Sequence, residues 1–176
     1  MNKFGVIGNP IDHSLSPMIH GEFAKEFDIE MSYEKILSPA EAFNLTAEQF
    51  ITGGGFGFNI TLPFKINAYN FSKDLTADAK AAGAVNTIKV ENNIIYGENT
   101  DGKGLVNDLK KNLKQTLQDK EILIIGAGGA TQGILKPILD NNPEKILLAN
   151  RTKEKSLRLA NQFSKYGKVC GFGIDQ

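Results

Sequence analysis

The sequence predicts an α/β protein: a first lobe built on a mixed sheet, then a βαβ unit of the nucleotide-binding kind. Three stretches carry that prediction. Phe56 to Ile60 reads as a buried strand that turns, through Thr61 and Leu62, into a helix at Pro63, because proline is favoured at a first helical position. The run from Gly83 to Val90 and the run from Ile94 to Gly97 read as strands joined by a tight hairpin at Asn92-Asn93, which places an antiparallel pair in the first lobe. Ile122 to Ile125 is a continuous apolar run, the mark of a strand central to a parallel sheet. The expected organisation is residues 1–100 as one domain, 101–118 as a linking helix and 119–176 as part of a nucleotide domain.

The elements follow in order. Phe4 to Gly8 is a short apolar strand closed by Gly8-Asn9-Pro10. After the loop, Ser16-Pro17 reads as N-cap and first residue of a helix, with Ile19, Phe23 and Phe27 at helical spacing to about Asp28. Ser14 and Ser16 thus stand at a helix start after a strand, where free N–H groups and hydroxyls can receive an anion. On their own they read rather as a cap and a turn residue. Met31 to Leu37 is a strand, and Pro39 is expected to open a helix carrying Ala42, Phe43, Leu45 and Phe50. Gly53-Gly54-Gly55 precedes a strand rather than linking strand to helix, so it reads as a turn. Helical segments are expected from Pro63 to about Ala82.

Lys65 falls in the first turn of the Pro63 helix, beside Asn59 and Thr61 at the carboxyl end of a strand, where ligands of open α/β sheets gather. A helix start is the positive pole of the dipole, so its ammonium is expected to give up a proton more easily than a free lysine. Lys65 is therefore a candidate acid/base, although a solvated first-turn lysine has the same local pattern. Asn86 begins the next strand as either a ligand contact or a turn amide. Asp101 follows Thr100 at the start of the helix with Leu105, Leu109 and Leu113, where the dipole keeps a carboxylate ionised.

Composition excludes several classes. The chain has 176 residues, 41% hydrophobic and 23% charged, with 20 basic and 20 acidic side chains. A net charge of zero gives no electrostatic case for nucleic acid or anionic membrane. No apolar run approaches spanning length, no leader pattern follows Met1, and the single cysteine, Cys170, fits a reducing compartment. The expected location is cytoplasmic. His13, His20 and Cys170 lack metal-ligand spacing and read as structural, Cys170 as a core residue.

Gly126-Ala127-Gly128-Gly129-Ala130 lies between the Ile122 strand and a helix through Ile134, Leu135, Ile138 and Leu139; Lys145 to Ala149 is the next strand. This is the context that gives a glycine loop meaning, although Thr131 holds a position where glycine or alanine is usual. Asn150-Arg151-Thr152 closes the second strand, with Lys155 one turn on. An acidic residue there binds the ribose hydroxyl of NAD, whereas an arginine fork suits a 2′-phosphate. Arg151 and Arg158 are the only arginines in the chain, so Arg151 points to NADP.

Taken together the chain resembles shikimate dehydrogenase. The resemblance rests on Gly8 to Ile11 with His13 to Pro17, Phe58 to Lys65, Gly83 to Thr87, Asn99 to Gly102, Gly126 to Ala130 and Asn150 to Thr152, six blocks in one order. It implies NADPH-dependent reduction of 3-dehydroshikimate to shikimate on the route to chorismate and the aromatic amino acids, in a monomer or homodimer. It further implies Lys65 and Asp101 as the catalytic pair, with Ser14 and Ser16 on the substrate carboxylate. Asn59, Thr61, Asn86 and Asp101 are implied on its hydroxyls and reacting oxygen. The family pattern continues past Gln176, so the expectation is a chain truncated at its C-terminus, holding one mononucleotide half of a Rossmann-type domain and little or no dehydrogenase activity. A quinate-utilising relative would be expected to favour NAD, and Arg151 argues against it. A non-catalytic ligand-binding module is the reading from another class, and it has no need of a Lys65–Asp101 pair.

Overall fold

The computed structural model describes residues 1–174 and divides the chain into two compact units. The first holds Met1–Lys80 with Ala84–Asn99; the second holds Ala81–Gly83 with Thr100 onward.

The first unit is a six-stranded mixed sheet in the order β2-β1-β3-β5-β6-β4. Its strands are β1 (Asn2–Gly8), β2 (Met31–Leu37), β3 (Gly55–Ile60), β4 (Asp74–Leu75), β5 (Thr87–Glu91) and β6 (Ile94–Glu98). β1, β2 and β3 are parallel, so their carboxyl ends share one edge, while β5 runs antiparallel to β3 and brings its first residue, Thr87, opposite Asn59. The β5–β6 hairpin turns through Asn92 and Asn93 at φ 52° and 62°, the left-handed pair a two-residue turn needs. α1 (Ser16–Glu26), α2 (Phe43–Thr52), α3 (Lys65–Phe71) and α4 (Ala77–Ala82) fill the crossovers. One apolar cluster joins Ile7, Phe43, Phe50, Phe58, Ile60 and Phe64. Phe43 and Phe64 stack at 5.4 Å, and Phe50 meets Phe58 edge-on.

Several boundaries differ from the sequence expectation. Pro63 does not open a helix: Phe64 N–H bonds to Thr61 O across a turn, and α3 starts at Lys65. α3 has only seven residues, so the dipole argument for Lys65 carries little weight, since a short helix sums few peptide dipoles. Ser16 is not the N-cap either; Leu15 is, and no side chain caps that end. Residues 39–42 form turns and α2 begins at Phe43. Residues 83–86 lie outside the strand. Phe56 is not buried: a register shift in the β1–β3 pairing pairs Lys3 with Gly55 but Phe4 with Gly57. The extra residue, Phe56, is 51% exposed, 6.4 Å from the Phe4 ring, as bulges re-aim a side chain.

In the second unit, β7 (Glu121–Ile125), β8 (Lys145–Asn150) and β9 (Val169–Gly173) form a parallel sheet in the order β7-β8-β9. α5 (Asp101–Asn107) continues as a wider π turn over Asp108–Asn112; α6 (Gly129–Leu139) and α7 (Lys153–Phe163) link the strands. Leu135, Ile138, Ile146, Leu148, Leu159 and Phe163 form its core. β7 is not a strand buried on both faces. It has one strand neighbour among the described residues, Ile122 and Ile124 pack inward, and Leu123 and Ile125 are 57% and 73% exposed. Cys170 is likewise exposed rather than core.

α5 and α6 approach closely at Gly102. A Cβ there would lie 2.4 Å from Pro137 Cγ and 2.8 Å from Gly133 O. Gly102→Ala is expected to destabilise the second unit by about 1–3 kcal/mol through overpacking. Urea unfolding checks this, and an unchanged midpoint would contradict it.

Candidate functional site

Candidate residues of the first unit gather at the shared carboxyl edge of β1, β2 and β3. The loops after β1 and β3 are laced together there: Thr61 N–H bonds to Ile7 O and Asn9 N–H to Leu62 O, each at 3.0 Å. Asn9 Nδ2 donates to Ser38 O at 2.9 Å, and Lys35 Nζ donates to Asp12 O. Gly8 is required at this crossing, because a Cβ would lie 2.4 Å from Thr61 Cγ2. Gly8→Ala is therefore expected to push Thr61 aside; a change in the Thr61 methyl resonance would report it, and an unmoved signal would contradict it.

Four of the predicted residues form two hydrogen-bonded sets, Ser14 with Ser16 and Asn59 with Asn86. Ser14 Oγ lies 3.2 Å from Ser16 Oγ and accepts the Ser16 N–H at 3.3 Å. Tyr33 Oη donates to Asn59 Oδ1 at 2.6 Å. Asn59 Nδ2 donates to Thr87 Oγ1 at 3.1 Å and to Asn86 O at 3.4 Å; Thr87 Oγ1 donates to Asn86 Oδ1 at 2.9 Å. Sequence reasoning alone misses Tyr33 and Thr87. Strand register is the signal that finds Thr87, since it faces Asn59 across the β3–β5 pair. Burial pushes the Tyr33 phenol far above its ordinary pKa, against a smaller opposing effect of the Ser16 side chain. It stays a protonated donor across the working pH range.

Thr61 is half-buried beside this network in the chain, and Lys65 is the first residue of α3. The Lys65 carbonyl accepts Val85 N–H at 2.9 Å, and Ile60 N–H bonds to Asn86 O at 2.8 Å. These bonds tie the Lys65 and Asn86 backbones to the same edge. A groove of about 310 Å³ runs along this sheet, lined by Phe4, Met31, Tyr33, Phe56, Asn59 and Thr87 among others. Ser14, Ser16 and Lys65 do not line it. Asp101 opens α5 in the second unit.

The nucleotide candidates lie together within the second unit. Gly126 takes φ +113°, and Gly128 caps α6. A Cβ at Gly126, Gly128 or Gly129 would meet nothing within 4 Å, so the loop backbone is bare to an approaching group. Thr131, the departure from the usual glycine pattern, is buried and donates to Gly126 O at 2.8 Å, closing the loop. Asn150 spans the two strand ends: its Oδ1 accepts Ala127 N–H at 3.1 Å and its Nδ2 donates to Thr152 O at 2.8 Å. Arg151, Thr152 and Lys155 are exposed beyond it, as is Ala130 on α6. Bare glycine backbone beside an exposed guanidinium fits a dinucleotide carrying a 2′-phosphate. Among the described residues no cluster of metal-ligating side chains occurs, and no helix is long and apolar enough to cross a membrane.

A small-ligand edge on one unit and a glycine-loop βαβ on the other define a protein of the Rossmann-type, nucleotide-binding α/β class. Residues 6–88 match the family model described as Shikimate dehydrogenase substrate binding domain, and residues 108–172 match Shikimate / quinate 5-dehydrogenase. The chain belongs to the shikimate dehydrogenase family.

A curated relative, Shikimate dehydrogenase (NADP(+)) of Ruthia magnifica subsp. Calyptogena magnifica, is 57% identical over 100% of this chain and 66% of its own length. Shikimate 5-dehydrogenase from Thermus thermophilus, solved with NADP(H) and shikimate, is 30% identical with a TM-score of 0.87, covering 97% of this chain and 63% of that one. The Listeria monocytogenes enzyme, solved with shikimate and NAD, gives a TM-score of 0.92 at 25% identity, covering 100% and 62%. The chain thus spans a little under two thirds of the relatives it matches.

Proposed function

We propose that this chain belongs to an NADP-dependent shikimate dehydrogenase, which reversibly reduces 3-dehydroshikimate to shikimate in the cytoplasm, as a monomer or homodimer. The observation that carries the reading is the pair Ser14 and Ser16 with the pair Asn59 and Asn86, each hydrogen-bonded, on the loops and strands of one sheet edge, in a chain 57% identical to a named enzyme of that activity. A small polyhydroxy acid needs neutral hydrogen-bonding groups around an anion subsite. Ser14 and Ser16 would hold the carboxylate, and Asn59, Thr61, Asn86 and Asp101 the hydroxyls and reacting oxygen.

NADPH supplies the hydride. Its arrival at the ketone carbon leaves negative charge on oxygen, and a positioned cation that also donates a proton lowers that barrier. Lys65 fills that role in this proposal, with Asp101 as the other member of the catalytic pair. Gly126, Ala127, Gly128, Gly129 and Ala130 would cradle the pyrophosphate, with Asn150 bracing the loop. Arg151, Thr152 and Lys155 would hold the 2′-phosphate.

The binding test uses the 176-residue polypeptide. Shikimate and NADP are each expected to bind in calorimetric titrations, and Ser14→Ala with Ser16→Ala is expected to weaken shikimate alone. Failure of the wild type to bind shikimate would contradict the proposal. Arg151→Ala is expected to weaken NADP by about 10- to 100-fold, the worth of a charge-assisted hydrogen bond, and to leave NAD within about threefold. Equal losses for both nucleotides would sink the 2′-phosphate assignment. Turnover by the 176-residue polypeptide itself is expected to be low, because the described residues of its nucleotide unit supply three parallel strands, one mononucleotide half.

A further inference from the structure

Two loops carry the nucleotide candidates of the second unit, and one side chain joins them. Asn150 ends β8, half-buried, between Ala127 of the glycine loop and Thr152, the N-cap of α7. Its Oδ1 accepts Ala127 N–H at 3.1 Å, and its Nδ2 donates to Thr152 O at 2.8 Å. The partners fix which way the amide points, because a backbone N–H needs an acceptor and a carbonyl needs a donor. The bonding runs on at both ends. Gly126 N–H bonds to Ala149 O at 2.7 Å, and Gly126 O accepts the Thr131 hydroxyl at 2.8 Å. Thr152 O also accepts Lys155 N–H at 3.1 Å. The loop of bare glycines and the loop holding Arg151 and Lys155 are thus one hydrogen-bonded body.

An acidic residue at the end of this strand meets the ribose hydroxyl of NAD in dinucleotide-binding units. On that rule alone, Asn150→Asp would turn an NADP site into an NAD site. We infer instead that Asn150 is a positioning residue that ties the pyrophosphate end of the site to the 2′-phosphate end, and that the position requires an amide. A carboxylate there can still accept Ala127 N–H, but it has no proton to give to Thr152 O. Its second oxygen would face that carbonyl oxygen, and two negative atoms at that separation repel. The Arg151 loop would lose its tie to the glycine loop, and neither nucleotide would gain. The ligand class is a dinucleotide bearing a 2′-phosphate, and the inference rests on the NADP reading above.

The test titrates NADP and NAD into wild type, Asn150→Asp and Asn150→Ala by calorimetry, and follows amide hydrogen exchange of the nucleotide-free proteins. Asn150→Ala removes both bonds, so both nucleotides are expected to weaken by about tenfold, the value of one hydrogen bond. Asn150→Asp removes only the donor. NAD is then expected to weaken by about three- to tenfold rather than tighten, and NADP by about 100-fold, since the new charge also opposes the 2′-phosphate. Exchange at Ala127 N–H is expected to quicken in Asn150→Ala and to keep its wild-type rate in Asn150→Asp, which retains the acceptor. NAD bound more tightly by Asn150→Asp than by wild type would overturn the inference and leave the NADP reading standing. Wild-type affinities for both nucleotides in Asn150→Ala would do the same. Wild type that binds neither nucleotide would overturn the NADP reading and this inference with it.

Discussion

Lys65→Met in the native protein is expected to lower kcat by about 10²- to 10⁴-fold, the usual contribution of a positioned acid/base. NADP affinity should stay within about threefold, because every proposed nucleotide contact lies in the second unit. The backbone of Lys65 is fixed independently of its side chain: its carbonyl takes Val85 N–H, and the preceding Phe64 is 1% exposed. The substitution therefore removes the ammonium while leaving the turn in place. Steady-state kinetics with 3-dehydroshikimate, beside a nucleotide titration, separate the two effects. A variant that keeps wild-type kcat would remove Lys65 from the mechanism, and one that loses NADP binding would show a folding defect.

Phe64→Ala is expected to cost the first unit about 3–5 kcal/mol, the range for truncating a buried aromatic. Phe64 stacks on Phe43 at 5.4 Å, and its carbonyl accepts the first intrahelical bond of α3, from Ala68. Phe43 in turn meets Phe71 edge-on at 6.0 Å, so the loss reaches both ends of the helix. Native-state hydrogen exchange should show lowered protection across β1, β3 and α3, with β8 and α7 unaffected. Equal loss in both units would contradict their description as separate compact bodies.

Much of this is legible in the sequence because periodicity and turn chemistry act locally. Ile122 to Ile125 before Gly126 predicts β7 and α6, and Asn92-Asn93 predicts the hairpin. Boundaries set by longer-range bonds are not legible. Pro63 reads as a helix start, but the Phe64–Thr61 turn delays the helix to Lys65. The two-residue strand β4 pairs with β6 from 22 positions away, Asp74 with Tyr96, and is too short to show a period.

The candidate site divides in the same way. Ser14, Ser16, Asn59 and Asn86 carry short motifs and can be named. Tyr33 looks like any strand tyrosine, because its role depends on sheet order: it lies on β2, two strands from Asn59, and only the β2-β1-β3 arrangement brings them together. The exposure of Leu123, Ile125 and Cys170 is hidden for the opposite reason. An apolar run reports hydrophobicity, not which face a neighbouring element covers.

The most direct test of the central claim is NADPH oxidation by the native protein, with its intact mass recorded on the same material. The predicted result is consumption of NADPH that requires 3-dehydroshikimate, yields shikimate in equal amount and is lost in Lys65→Met. Native protein that binds shikimate and NADP yet leaves NADPH unoxidised in the presence of 3-dehydroshikimate would contradict it and favour a ligand-binding role.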